Sequence, residues 1–281
     1  MEEYYFLFGL GLLWSIFAVI QDLKTREVSN WLNFSLIGFA LAYRVFYSLF
    51  INDYLFFVSG LLGFGVFFGL SHLFYYTKVF AGGDAKLLMG FGVILPYSNF
   101  NELFSIGVIF LFALFLFGAL YGLIYSVFIV IKNINKFRRE FFVGIKRTID
   151  NKYLIVSIIV LVFLLGFYFD LDLWIYFIFI LCGFLFLYVY VKALDLCMIK
   201  LVKFKDLQEG DWLEREIRAG KKIIKKSVHG LSKEDIKLLK RFRKSVYIKE
   251  GIPFTPAFLL ALLATVFFSL ILGFDFLLSL F

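Results

Sequence analysis

Two strongly apolar runs of the chain are separated by the stretch Val79-Phe80-Ala81-Gly82-Gly83-Asp84-Ala85-Lys86-Leu87-Leu88. Its adjacent glycines, Gly82 and Gly83, let the backbone turn sharply or approach a neighbouring segment closely. They place the Asp84 carboxylate at the head of the next apolar segment. Because an acidic side chain at the end of a membrane helix is energetically costly, Asp84 is a candidate functional residue.

The composition indicates a polytopic membrane protein. Of the 281 residues, 62% are hydrophobic, and the mean hydropathy is +0.90. Several apolar runs reach the roughly 20 residues needed to cross a hydrocarbon core. The net charge of +8 is concentrated in a few segments, which favours a lipid bilayer over nucleic acid as the partner. Cys182 and Cys197 show no CxxC spacing and predict neither a disulfide framework nor a zinc site.

Eight apolar runs predict an all-α polytopic membrane protein with about eight transmembrane helices. They cover residues 4–20, 31–50, 54–76, 85–95, 103–131, 153–169, 173–191 and 254–272. The fourth run is short for a span, so we expect it to be tilted or packed inside the bundle. The first run lacks the basic start of a secretory signal, which favours a retained membrane helix.

The distribution of basic residues predicts the orientation of these helices. With an external N-terminus, the cytoplasmic segments are the loops around Asp22 and Asp84, residues 132–152 and residues 192–250. They contain 2, 2, 7 and 17 lysines and arginines, which is 28 of the 29 in the chain. The exception is Arg44, toward the outer end of the second run. By the positive-inside rule, we expect a multi-pass protein of the plasma membrane with both aspartates at the cytoplasmic face.

These expectations divide the chain into five segments. They are a membrane core with the first five helices (1–131), a basic cytoplasmic loop (132–152), two additional transmembrane helices (153–191), a small cytoplasmic α+β domain (192–250) and a C-terminal transmembrane helix (251–281). In the small domain, residues 208–211 predict a turn. Ser232 and Asp235 have the spacing of a capping box and predict a helix that ends near Lys244, and residues 245–249 predict a strand.

Asp22 and Asp84 are predicted at the same depth on the same face of the membrane, although 62 residues separate them in the sequence. If their helices are neighbours, the two carboxyl groups can approach each other and hold one proton between them. The ionised member takes a proton from the attacking water, and the protonated member donates to the peptide carbonyl oxygen. The pattern predicts an aspartic peptidase that needs neither a metal nor a cofactor.

Three motifs resemble those of type IV prepilin peptidases and archaeal preflagellin peptidases, which are membrane aspartic peptidases of the GxGD type. Residues 81–86 are similar to their Gly-x-Gly-Asp motif, and residues 22–32 are similar to their first aspartate segment, an Asp followed by a basic stretch and Ile/Val-Pro-Asn. Residues 252–258 resemble the Pro-Phe-x-Pro entry to their last helix. Ala81 replaces the usual glycine and Ser29 the usual proline, and the alanine fits only if its φ is negative.

The resemblance implies catalytic roles for Asp22 and Asp84. It also implies a six-helix peptidase-like core with two extra helices and a cytoplasmic insert, as in archaeal-type members with a carboxy-terminal extension. The implied reaction is removal of a short basic leader from pilin-like or archaellin precursors at the cytoplasmic membrane face. The cysteine-rich zinc loop of the bacterial enzymes has no counterpart in this sequence.

Other residues near these motifs are weaker candidates. Those expected to shape the site are Gly82, Gly83, Asn30, Lys86 and Pro253. Lys86 is expected to pair with Asp84 or with a phospholipid. Glu27 is a candidate for binding the basic leader, and ordinary surface solvation is the rival explanation. The same holds for four acidic residues of the insert, Glu209, Asp211, Glu214 and Glu216.

Each aspartate also has an explanation that involves no catalysis. Asp22 is compatible with an interfacial acid beside Lys24 and Arg26, and Asp84 with a helix N-cap after a glycine turn. His72, on an apolar run, is expected to be a hydrogen-bonded core residue and not a metal ligand.

Two other classes of function remain open from the sequence. An ion- or proton-coupled transporter would place its acids at the bilayer midplane and show paired broken helices or repeats. A non-enzymatic membrane anchor would use the insert to dock partners and leave both acids incidental.

Overall fold

The computed structural model describes residues 2–97, 100–151, 157, 160, 171–220, 222–227 and 230–271. The chain forms two compact units. The first comprises Met1–Ile124 and Ile252–Phe281, and the second comprises Tyr125–Gly251.

The described part of the first unit is built from helices. They are α1 (Glu2–Thr25), α2 (Asn30–Ile51), α3 (Tyr54–Tyr76), α4 (Gly82–Ile94), the N-terminal part of α5 (Phe100–Lys132) and a final helix, α9 (Thr255–Ile271). The short α4 is central, because it packs against α1, α2 and α3, while α1 also packs against α9. Leu88, Phe91 and Ile94 of α4 are fully buried. A helix enclosed in this way does not have to reach both faces of a bilayer.

Within the described residues, five helices are long and apolar enough to cross a membrane. They are α1, α2, α3, α5 and, in the second unit, α7 (Leu171–Cys197). The fourth predicted run forms the 13-residue α4. The last run forms α9, which is described as far as Ile271. The predicted helix 153–169 lies outside the described residues except at positions 157 and 160. The mainly helical architecture with several apolar helices is confirmed, whereas the count of eight spans stays a prediction.

Arg44, the exception to the charge asymmetry, is fully buried in this bundle. Its guanidinium donates hydrogen bonds to the carbonyl oxygens of Val93 (2.7 Å), Leu95 (2.8 Å) and Phe56 (2.8 Å). Val93 and Leu95 lie at the C-terminal end of α4, where carbonyl groups lack partners within the helix. Arg44 thus supplies hydrogen-bond donors to the carbonyl groups at the C-terminal end of α4, a helix that stops inside the protein.

Glycines allow α3 and α4 to approach each other closely. A Cβ atom on Gly63 of α3 would overlap with the Tyr97 hydroxyl and the Gly92 carbonyl oxygen. By contrast, a Cβ atom on Gly65, two residues further along α3, would meet nothing within 4 Å. Small residues at close helix contacts are typical of membrane bundles.

The second unit follows α5 with α6 (Ile134–Asp150), α7 and a small α+β domain. The domain contains α8 (Lys233–Arg241) and the strands β1 (Ile199–Val202), β2 (Trp212–Leu213), β3 (Ile217–Ala219), β4 (Lys222–Ile224) and β5 (Val246–Lys249). β5 lies between β1 and β2 and is antiparallel to both, and β3 pairs with β4. The predicted capping box of Ser232 and Asp235 starts α8, which buries Ile236 and Leu239. The predicted turn at 208–211 and the predicted strand at 245–249 are also present.

The basic segment 132–152, predicted as a loop, instead contains α6. Its aromatic residues face α7: the Phe137 ring lies 5.4 Å from that of Tyr190. The Phe141 ring lies 5.6 Å from that of Phe186. These residues are four apart and share one helical face. The charged residues Arg138, Arg139 and Glu140, which lie between Phe137 and Phe141, obscured this periodicity in the sequence.

Candidate active site

Asp22 lies near the end of α1 and is buried, with 6% of its surface exposed. Its Oδ2 atom accepts two hydrogen bonds from Thr255, one from the backbone N–H (3.2 Å) and one from the hydroxyl (2.9 Å). Thr255 is the first residue of α9 and is fully buried. Asp22 is therefore an integral part of the contact between α1 and α9. The interpretation as an interfacial acid beside basic residues does not explain this environment.

Asp84 is the third residue of α4, and Ala81 occupies the N-cap position. The alternative that Asp84 is the N-cap is therefore wrong. Ala81 has a φ of −71°, so the departure from the Gly-x-Gly-Asp motif causes no backbone strain. Gly82 and Gly83 are helical and do not have positive φ. A Cβ atom on Gly83 would lie 3.3 Å from the Val28 Cβ, so this glycine permits a close approach and not a sharp turn.

The pKa of the Asp84 carboxyl group is raised from 3.8 to about 7. Asp84 is half-buried and lies outside the five helices that could cross a membrane. Desolvation of its carboxyl group is the main cause of the raised pKa, and the negative charge of Asp22 adds to it. A hydrogen bond from the Ala81 backbone acts in the opposite direction. The two aspartates thus interact electrostatically, and Asp84 can hold a proton near neutral pH.

Two asparagines of α2 hold the start of α4. Asn30 accepts a hydrogen bond at Oδ1 from the Lys86 ammonium group (2.6 Å). Asn33, one turn further on and fully buried, donates from Nδ2 to the Gly83 carbonyl oxygen (3.3 Å). The expected ion pair between Lys86 and Asp84 is not present among the described residues. The structure thus places Asn30, Lys86 and Gly83 together beside Asp84.

Pro253 and Glu27 have different environments. Pro253 is buried two residues before Thr255, where it leads the chain into α9. Glu27 is exposed in the loop after α1. Binding of a leader peptide by Glu27 stays a prediction.

The acidic residues of the insert all belong to the second unit. Glu209 lies 3.5 Å from the ammonium group of Lys233, and Glu214 lies 4.0 Å from that of Lys226. These contacts agree with ordinary surface charge pairing. A role of these residues in substrate binding stays a prediction.

His72 makes a hydrogen-bond contact of 2.9 Å between Nδ1 and the Phe68 carbonyl oxygen, as predicted, but it is half-buried and does not belong to the core. In the part of the chain that the structure describes, no group of three or more His, Cys, Asp or Glu could hold a metal ion.

Three residues at this site were not predicted from the sequence. They are Thr255, Asn33 and Gln21. Thr255 is the variable position of the Pro-Phe-x-Pro motif, and Asn33 follows Asn30 by one helical turn, so both lie beside residues that the motifs had identified. Gln21 accepts hydrogen bonds at Oε1 from the Ser29 N–H (3.0 Å) and hydroxyl (2.9 Å), which closes the loop after Asp22.

The sequence of this chain is similar to those of known leader peptidases. Residues 9–124 match the model of the Type IV leader peptidase family. The preflagellin peptidase of Methanocaldococcus jannaschii is 35% identical over 92 residues, which are 33% of this chain and 39% of that protein. The preflagellin peptidase of Methanococcus voltae is 28% identical over 138 residues, which are 46% of this chain and 58% of that protein.

The matched part of the chain covers 58% and 39% of the length of these two relatives. No solved structure matches it. The segment that matches the family contains Asp22, Asp84 and the glycines that begin α4. Residues 9–124 of the chain are therefore similar to the Type IV leader peptidase family.

Proposed function

We propose that the chain is a membrane aspartic endopeptidase that removes a short basic leader from archaellin or type IV pilin-like precursors. The observation that carries the proposal is the interaction of two carboxyl groups in one bundle, with the pKa of Asp84 raised to about 7 partly by the charge of Asp22. The match of residues 9–124 to the model of the Type IV leader peptidase family supports the reaction class. The names of the relatives, preflagellin peptidases, support the substrate class.

Hydrolysis at this pair needs one base and one acid. The ionised carboxylate accepts a proton from water while the water oxygen attacks the peptide carbonyl carbon. The protonated carboxyl group gives its proton to the carbonyl oxygen, and a tetrahedral diol forms. When the carbon–nitrogen bond breaks, the proton taken from water passes to the leaving amine, and a diol hydroxyl returns its proton to the second carboxylate. The pair regains its single proton, and one water molecule is consumed for each peptide bond.

The proposal includes the eight-span topology, with an external N-terminus and the site at the cytoplasmic face of the plasma membrane. The charge asymmetry supports it, as does the position of Asp22 at the end of α1 and Asp84 at the start of α4. In a variant without native cysteines, a cysteine at position 26 should react with impermeant reagents only from the cytoplasm. A cysteine at position 53 should react only from outside. Reaction of both from the same side would exclude this topology.

The decisive experiment is co-expression of the full chain with an epitope-tagged archaellin precursor, followed by the size of the precursor on a gel. Asp22→Asn and Asp84→Asn should each leave the precursor unprocessed, because asparagine can neither accept nor donate the required proton. Asp53→Asn is the matched control. Asp53 caps α3 by accepting a hydrogen bond from the Leu55 N–H (2.9 Å), and asparagine keeps an acceptor there.

The control should process the precursor like the unmodified chain. A transporter or a non-enzymatic anchor would leave the precursor uncleaved in every case, including the unmodified chain. Processing that persists in either Asn variant would refute the paired-aspartate mechanism.

A further inference from the structure

The two aspartates have unequal surroundings. Asp22 accepts two protein hydrogen bonds at the same oxygen, Oδ2, and both come from Thr255 (3.2 Å from N–H and 2.9 Å from the hydroxyl). No hydrogen bond to Oδ1 of Asp22 occurs among the described residues. Asp84 instead has a carboxyl group whose desolvation raises its pKa.

The position of Thr255 at the start of α9 explains why it can donate twice. The first N–H groups of a helix have no partner within the helix, and Pro256, the next residue, has no N–H at all. The N–H of Thr255 is therefore free to bond to Asp22, and the side-chain hydroxyl adds a second donor. The positive end of the helix dipole also favours a negative charge at this place.

We propose that Thr255 is a positioning residue that holds Oδ2 of Asp22 and so makes Asp22 the water-activating base and Asp84 the acid. This assignment rests on the proposed peptidase function. Two donors to Oδ2 stabilise a carboxylate and fix its orientation. Oδ1 is then the oxygen that accepts the proton of the attacking water and passes it to the leaving amine. Asp84 supplies the proton for the peptide carbonyl oxygen and recovers one when the diol collapses.

The test compares two substitutions of one side chain in the purified full chain, assayed with an archaellin precursor. Thr255→Val keeps the shape and the backbone donor but removes the hydroxyl donor. Thr255→Ser keeps both donors. Loss of one hydrogen bond to a charged group corresponds to a roughly 10- to 100-fold loss of rate. We expect Thr255→Val to lower kcat by that factor with KM within twofold of the unmodified chain, and Thr255→Ser to stay within about threefold in both.

Thr265→Val is the matched control, because it makes the same exchange at a buried position of the same helix. The Thr265 hydroxyl donates to the Ala261 carbonyl oxygen (2.8 Å). This variant should cleave the precursor at the normal rate. Should Thr255→Val not yield a monodisperse protein, Thr255→Ala removes the same donor from a smaller side chain and carries the same expectation.

Failure of the inference is distinct from failure of the proposed function. If the unmodified chain does not cleave the precursor, or if Asp22→Asn still cleaves it, the function itself is wrong. If the unmodified chain cleaves and Thr255→Val does so within threefold of its kcat, Thr255 has no positioning role. An equal loss in Thr255→Ser, or a loss confined to KM, would also overturn the assignment.

Discussion

Cleavage should slow as the pH rises through about 7, because the proposed acid, Asp84, loses its proton there. The pKa of Asp84 is raised from 3.8 to about 7 by burial and by the charge of Asp22. The neighbouring ammonium of Lys86 bonds to Asn30, so it does not serve as a counter-ion to Asp84. The active form of the pair, with Asp84 protonated, is therefore the form that predominates below this pKa.

The size of the effect follows from the protonated fraction of a single group. That fraction falls from about nine-tenths at one pH unit below the pKa to about one-tenth at one unit above it. We expect kcat/KM to fall roughly tenfold between about pH 6 and about pH 8, and about tenfold more for each further unit.

The stability of the folded chain should also decrease as the pH rises. Between the unfolded and folded pKa values, 3.8 and about 7, the folded state holds a proton that the unfolded state has lost, so stability decreases as the pH rises across this window.

The assay measures initial rates of precursor cleavage by the purified chain in detergent, in buffers of constant ionic strength. A sample returned from high to low pH should recover its rate, which separates titration from irreversible unfolding. The same profile measured with a second precursor of different leader charge separates titration of the enzyme from titration of the substrate. A rate that is constant or rises between about pH 7 and about pH 9 would refute the assignment of Asp84 as the acid.

Three further predictions concern stability. Gly63→Ala should lower the free energy of unfolding by about 1–3 kcal/mol because the new methyl group overlaps with α4. Gly65→Ala, in open space on the same helix, should have little effect. Equal unfolding midpoints of the two variants in detergent would contradict this prediction. Arg44→Met should cost roughly 2–5 kcal/mol, since the three carbonyl groups lose interhelical hydrogen bonds of ~0.6–1.7 kcal/mol each, and Arg44→Lys should recover part of the loss; a thermal midpoint like that of the unmodified chain would argue against the role of Arg44. Ser232→Ala should destabilise the small α+β domain by about 1 kcal/mol through loss of its capping box, which faster hydrogen exchange in α8 would report and unchanged exchange would exclude.

The hydropathy of the sequence predicted α2 and α3 to within one residue at each end, because these helices are apolar over most of their length. It could not predict α6, whose packing face consists of a few aromatic residues among many charged ones. The role of Arg44 was also hidden. Three of its four acceptors are backbone carbonyl groups, which cannot be recognised from residue types in a sequence.

The residues of the candidate site that lie in local motifs were predicted from the sequence, whereas their partners from distant parts of the chain were not. Asp22, Asp84 and the glycines lie in motifs with fixed local spacing, so they could be identified without coordinates. The partner of Asp22 lies 233 positions away in the chain, and no periodicity links such residues. Asn33 was missed because the sequence does not show which neighbour a single polar residue inside an apolar run contacts. Both residues act through contacts that only the packing of α1, α2, α4 and α9 creates.

The buried arginine of α2 also bears on how this bundle is made. An arginine within a helix surrounded by lipid costs about 2.5–3.5 kcal/mol on insertion scales. The acceptors of Arg44 are synthesised after it: Phe56 follows by 12 positions and Leu95 by 51. During biosynthesis, the cost of placing Arg44 in the bilayer is therefore offset only when α3 and α4 pack beside α2. We therefore expect the first four helices to move from the translocon into the lipid together, because Arg44 has its hydrogen-bond acceptors only when α3 and α4 are present.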